Sequence, residues 1–246
     1  MSIWQQFGYR ENPFDSLPLR PNEEGDALLQ GRDYESGLLS SKLRNETLHP
    51  TLEGPNGVGK TSLVQVTAFR EWKERLAGNR SQTIVPAVGV VEVEENIENV
   101  TRSALVSIAQ TLIQFKDSLH RLGHDVHGLD DLEDWMNRPI ERTFNATINV
   151  GGTGAGGGIG KSANQSAGFE FAGFENAVRA CLTDAFPTSQ SGFVVGIIDN
   201  LELVKTSRDA RDVLERIRDT CLSLPGVKWV LCGAQGIVRS SVSSPR

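Results

Sequence analysis

Cysteine is scarce in this sequence: Cys181, Cys221 and Cys232 are odd in number, far apart and set in apolar runs. That pattern favours the buried, reduced thiols of a cytosolic protein over a disulfide framework or a zinc site. Long hydrophobic runs are missing as well. Nothing approaches the roughly 18 consecutive apolar residues of a membrane helix. The opening Met1-Ser2-Ile3-Trp4-Gln5-Gln6 lacks the charged and apolar regions of a signal peptide. Basic residues are not in excess, with 25 Lys and Arg against 31 Asp and Glu, a net charge of −6. This balance argues against broad, non-specific binding to nucleic acid, so DNA is a partner that charge does not support. The expectation is a soluble, cytoplasmic chain with no membrane partner. Its 246 residues suffice for one large α/β domain or two small ones.

What the sequence does contain is concentrated at Thr51-Leu52-Glu53-Gly54-Pro55-Asn56-Gly57-Val58-Gly59-Lys60-Thr61-Ser62-Leu63. A short apolar strand runs into a glycine-bounded loop, and a helix opens on Lys60-Thr61. Gly54, four intervening residues, Gly59, Lys60 and Thr61 satisfy the Walker A spacing. Glycines let successive backbone N–H groups turn inward around a phosphate chain. The helix adds its unpaired amides and the positive end of its dipole. Lys60 is then placed to reach the β/γ-phosphates of ATP, and the Thr61 hydroxyl to ligate Mg²⁺. The binding set is Gly54, Pro55, Asn56, Gly57, Val58, Gly59, Lys60, Thr61 and Ser62.

Residues 1–50 read as an N-terminal approach segment, and 51–246 as the P-loop core. Prolines keep Asn12-Pro13-Phe14 and Leu17-Pro18-Leu19-Arg20-Pro21 extended. Asp33 is a plausible N-cap for a helix carrying Tyr34, Leu38, Leu39 and Leu43. Core strands are expected at about 51–53, 84–93, 193–198 and 227–232. Helices alternate with them: one from the loop to about Ala77, one over Val100–Leu122 stopped by Gly123, one around Glu175–Phe186, and one capped by Ser207. Continuous rather than alternating apolar strands indicate a mainly parallel sheet flanked by helices, an α/β fold. Residues 123–173 differ in character. Phe144, Ala146, Ile148 and Val150 alternate with polar residues, seven of the ten residues over 151–160 are glycine, and Phe169 and Phe171 alternate again. The segment predicts a glycine-rich β-hairpin or flap inserted in the core.

A phosphate loop needs a carboxylate to help hold Mg²⁺, usually at the end of a neighbouring apolar strand. Asp199 follows Phe193-Val194-Val195-Gly196-Ile197-Ile198 and fits that role, giving Thr61 and Asp199 as the metal pair. Asn200 stands next, where a hydrolytic ATPase usually places a water-activating Glu. An amide orients a water but does not accept its proton, so slow or assisted hydrolysis is expected. Lys60, Asp199 and Asn200 form the catalytic set; Glu202, two residues beyond Asn200, reads equally as a substitute base or as a solvated side chain.

Asp199-Asn200-Leu201-Glu202, taken with Gly54–Thr61, resembles the AAA+ and STAND ATPases. Gly31-Arg32-Asp33-Tyr34-Glu35 is similar to the segment preceding the P-loop in their origin-recognition-like branch. The resemblance implies a base-contacting role for Leu29, Gly31 and Arg32. It also implies a sensor-1 strand at Val227–Cys232, with Gln235 as the polar sensor; Arg239 and Arg246 stand near the relatives' arginine-finger position, although exposed surface arginines are the favoured reading for both. Relatives add a fifth strand and a C-terminal helical lid. This sequence reaches Ser244-Pro245-Arg246 before either, so a core ATPase domain of a longer protein or a homo-oligomer or larger assembly is expected. The rival reading is a binding module with a structural nucleotide, using the glycine-rich insertion to grip protein or DNA. A small-molecule kinase is a third, without a recognisable acceptor site.

Weaker signals are set aside. Ala155–Ser162 fits a relaxed phosphate-loop pattern, but Ala163–Gly168 is a poor helix start. His120, His124 and His127 straddle a helix-breaking glycine and read as solvent-exposed. Arg208, Arg211, Arg216 and Arg218 interleave with Asp209, Asp212, Glu215 and Asp219, as on a solvated helix.

Overall fold

Four apolar runs build one parallel sheet, and helices cover both faces. The computed structural model describes residues 3–8, 17–45, 49–93, 97–137, 165–201 and 215–234. Its elements, in chain order, are α1 (Ile3–Gln6), α2 (Glu23–Leu28), α3 (Asp33–Asn45), β1 (Thr51–Glu53), α4 (Lys60–Leu76), β2 (Thr83–Pro86) and β3 (Val91–Glu92). There follow α5 (Ile97–Arg121), α6 (Leu129–Asn137), α7 (Gln165–Ala185), β4 (Gly192–Asp199) and β5 (Val227–Gly233). Residues 215–220 are also helical.

The strand order is β1-β5-β4-β2, with β3 pairing the far end of β4, and every pairing is parallel. All of β4 except Asp199 is buried, as a strand covered on two faces must be. One face packs Leu39 and Leu43 of α3 and Leu63, Val64 and Val66 of α4 against Ile84, Phe193, Val195 and Ile197. The other packs α5, α6 and α7 against Val85, Val194, Ile198 and Trp229. These α/β layers are the ones the sequence pattern called for.

Helix ends follow their glycines. Ala77 caps α4, Gly78 adopts φ 79°, and the N–H groups of Gly78 and Asn79 bond Arg75 O and Glu74 O. The end of α5 repeats this closure, with Gly123 at φ 85° donating to His120 O and His124 to Leu119 O. Both are Schellman motifs, in which a left-handed glycine lets orphan carbonyls find donors.

The structure corrects several expectations. The returning strand through Phe169 and Phe171 lies inside α7, which begins about ten residues before Glu175 and so opens within Ala163–Gly168, the stretch expected to be a poor helix start. Alternation over so few residues fits either period. Burial of Phe174, Val178, Cys181 and Leu182 at helical spacing settles it. Part of the 123–173 insertion is helix α6, whose Leu129 and Leu132 are buried. The strand expected over 143–150 and the glycine run over 151–160 lie outside the described residues, as do the loop pattern at 155–162, Ser207 and Glu202. Asp33 is the first residue of α3 rather than its cap, since Ser36 N–H bonds Arg32 O. The single strand expected over 84–93 is broken into β2 and β3. His124 is half-buried, its Nδ1 on Ala185 O and its Nε2 on Thr83 Oγ1, both at 2.7 Å.

Candidate functional site

β1 delivers the chain to the loop from the sheet's edge. Gly54 N–H bonds Gly233 O at 3.2 Å, tying the loop's first residue to the end of β5. Gly57 and Gly59 take φ of 77° and 85°, left-handed values that L side chains rarely adopt. Gly59 is the N-cap of α4 and has no side chain to bond the first amides, so these N–H groups are left for a ligand. Residues 55–59 are exposed, whereas Lys60 is 8% exposed, its Nζ donating to Gly54 O at 3.0 Å and Pro55 O at 3.1 Å. The amine therefore points back into the concave side of the loop.

Asp199 ends β4 on the same side of the sheet. The Thr61 hydroxyl donates to Asp199 Oδ2 across 138 residues of sequence, and Asn200 N–H donates to Asp199 Oδ1 at 2.8 Å. Asn200 is the one described non-glycine residue with positive φ, 61°. Such a left-handed turn is tolerated by asparagine and turns the chain sharply after the carboxylate. A hydroxyl and a carboxylate in direct contact are hard oxygen donors, the kind Mg²⁺ takes from a protein while phosphates and waters fill its other positions. Among the described residues no cluster of three His, Cys, Asp or Glu could hold a metal unaided. The donor set fits a magnesium ion brought with a phosphate chain.

The N-terminal segment is strapped to the loop and to α4. Arg32 Nη2 donates to Val58 O at 2.9 Å, and its Nη1 lies 3.4 Å from Glu35. Leu19 N–H donates to Ser62 Oγ at 3.0 Å. Arg70 and Lys73 of α4 pair with Asp26 at 2.6 and 3.1 Å. A cavity of about 350 Å³ lies between α3 and the β1 edge, lined by Arg32, Glu35, Leu38, Lys42, Leu52 and Lys60 among others. Asp199 reaches the loop from the β4 side, so the cavity flanks the loop on its opposite side. Of the residues with an implied base contact, Arg32 lines this cavity. Leu29 is packed in the core with α4, and Gly31 forms the left-handed turn before α3. Gln235, Arg239 and Arg246 lie outside the described residues.

His49 went unnoticed in the sequence. Its Nδ1 accepts the Trp229 N–H at 3.1 Å, and its Nε2 lies 3.1 Å from Leu222 O. Pro50 O then accepts Leu231 N–H at 2.9 Å, where the β1–β5 ladder begins. The imidazole thus stands where a backbone carbonyl would pair. Only the nearby Pro50 hinted at a fixed turn there.

A parallel sheet with a glycine loop between its edge strand and the next helix, facing an acid at a neighbouring strand end, defines a P-loop NTPase-like α/β fold. No protein-family model matches the chain, and no curated protein matches it. A similar solved structure is that of the Aeropyrum pernix ORC1 protein in complex with DNA. It is 15% identical with a TM-score of 0.41, covering 95% of this chain and 46% of that one. This chain therefore spans just under half the length of that neighbour. Among the described residues, no helix is long and apolar enough to cross a membrane.

Proposed function

We propose that the chain binds Mg-ATP and acts as a slowly hydrolysing ATPase switch of AAA+/STAND type, its nucleotide state controlling assembly or partner binding. The observation that carries this reading is the Thr61–Asp199 contact beside Lys60, which joins the two sequence-distant halves of a phosphate and metal site. The backbone amides of Gly57–Ser62 would hold the β- and γ-phosphates, and Lys60 would swing from its two carbonyls onto them. Mg²⁺, held through Thr61 and Asp199, would neutralise charge developing on the phosphate oxygens. Arg32 and the cavity beside α3 would take the nucleobase. Asn200 would orient water without accepting its proton, so the proton would have to pass to another group.

Titration with a fluorescent ATP analogue tests the reading. Wild type binds in the presence of Mg²⁺, Lys60→Ala loses most of that affinity, and Asp199→Ala binds with little response to Mg²⁺. Equal binding by Lys60→Ala would sink the proposal. An unchanged magnesium response in Asp199→Ala would remove that residue from the site.

A further inference from the structure

The break between β2 and β3 does something the sequence did not suggest. From the pair Pro86↔Val195 to the pair Val91↔Ile198, the β2–β3 path takes five steps while β4 takes three. Two extra residues are accommodated without changing which side chains face which layer. Val85 and Val91 both join the α5 side of the core, as do their partners Val194 and Ile198. The extra turn is fastened by α5. Val88 N–H donates to Thr111 Oγ1 at 3.1 Å, and Ser107 Oγ donates to Gly89 O at 3.2 Å. A Cβ on Gly89 would stand 2.9 Å from that serine oxygen, so a larger residue there would displace the hydroxyl from its bond.

The outcome is that Glu92 lies in register with Asp199, and Val93 N–H bonds Asp199 O at 3.1 Å to lock the pairing. Registered neighbours on parallel strands, about 4.8 Å apart, point their side chains to the same face. For Asp199 that is the face of α4, where its carboxylate meets Thr61. Glu92 is exposed, and among the described residues nothing pairs with its carboxylate. Both Asp199 oxygens are already engaged, by Thr61 and by the Asn200 amide. Asn200 has no basic atom to offer. A carboxylate that no described residue pairs, one strand further out, is the group a proton transfer at this site needs.

We propose that Glu92 is the general base for ATP hydrolysis, a role that rests on the ATPase reading above. Its carboxylate takes a proton from a water. The water oxygen forms a bond to the γ-phosphorus as the bond from that phosphorus to the β–γ bridging oxygen breaks. ADP leaves with that electron pair, inorganic phosphate forms, and the proton passes from Glu92 to solvent.

The experiment is steady-state phosphate release by the 246-residue chain, paired with ATP-analogue binding. Glu92→Gln binds the analogue within about twofold of wild type, keeps its KM and loses kcat by about 100-fold or more, the range a positioned base contributes. Glu92→Asp recovers part of the rate, and Glu94→Gln keeps the wild-type rate. Turnover by Glu92→Gln within about threefold of wild type would overturn the assignment, as would an equal loss in Glu94→Gln. Wild type that binds ATP but never hydrolyses it would overturn the role of Glu92 and leave the nucleotide reading standing. Wild type that fails to bind ATP would end both.

Discussion

Gly196→Ala should destabilise this protein far more than adding one methyl group suggests. Gly196 pairs with Trp229 across β4 and β5, and a Cβ there would lie 2.5 Å from Cζ3 and 2.9 Å from Cδ2 of the indole. The ring has nowhere to go. Trp229 is fully buried, its Nε1 donates to Cys221 O at 2.8 Å, and its backbone N–H is held by His49. Overpacking of this kind costs about 1–3 kcal/mol. If the ring tilts and stretches the bond to Cys221 O, about 1 kcal/mol more is lost. For a chain of this size each kcal/mol lowers Tm by about 2–4 °C. A loss of about 2–4 kcal/mol therefore predicts a drop of roughly 4–16 °C, read by thermal denaturation followed by circular dichroism. Because Asp199 is three residues further along β4, ATP-analogue affinity should fall with it. A Tm within 1 °C of wild type would show that the sheet relaxes around the methyl, and the rigid-packing argument would be wrong.

Three further outcomes are expected. Burial pulls Asp26 upward, but bonds and charges from Arg70 and Lys73 outweigh it and hold its carboxyl below the usual aspartate value. Asp26→Asn should cost about 1–2 kcal/mol at low salt and much less in 1 M NaCl, since the pairs are partly exposed. Equal melting of the two proteins at low salt would refute this. Burial, with Lys228 beside His49 and Arg75 beside His124, lowers both imidazoles below the usual histidine value of 6.5. Their native forms are neutral, so this stability is complete above about pH 6.5 and declines as pH falls and the unfolded chain gains protons. Urea midpoints at pH 7.5 and 5.5 should therefore differ, and the gap should narrow in His49→Asn; identical midpoints would refute the argument. Arg32→Ala, which frees Val58 O, should weaken ATP-analogue binding by about tenfold, the loss of roughly one charge-assisted hydrogen bond. Unchanged affinity would detach Arg32 from the site.

The sheet and its loop were legible because they rest on short-range chemistry. Gly57 and Gly59 are glycines at left-handed turns, and the apolar runs at 193–198 and 227–232 are long enough to demand burial on two faces. What escaped depends on partners distant in sequence. Nothing near His124 announces Thr83 and Ala185 as its hydrogen-bond partners. The two-residue excess between β2 and β3 is visible only against β4, so Glu92 looked like one acid among several in Val91-Glu92-Val93-Glu94-Glu95. The start of α7 was misread because glycines at 168 and 173 weakened its helical signal, while burial of its apolar face on α5 and α6 outweighed their propensity cost.

Leu231 pairs with Thr51 on one side and Ile198 on the other, and Ile198 pairs in turn with Val91. The sheet therefore works as a ruler with numbered rows. One step beyond Leu231 and Ile198, Leu52 pairs with Cys232 and Asp199 with Glu92, near the rim where the phosphate loop begins. Spacing along a row is fixed by strand width, and orientation by parity alone. Deleting one residue from β4 ahead of Asp199 would leave every strand in place to a first approximation. It would nevertheless turn the carboxylate towards α5, away from Thr61. Insertions in pairs, such as the one α5 anchors at Gly89, preserve the alignment. For this fold, tolerance to length change should run in twos.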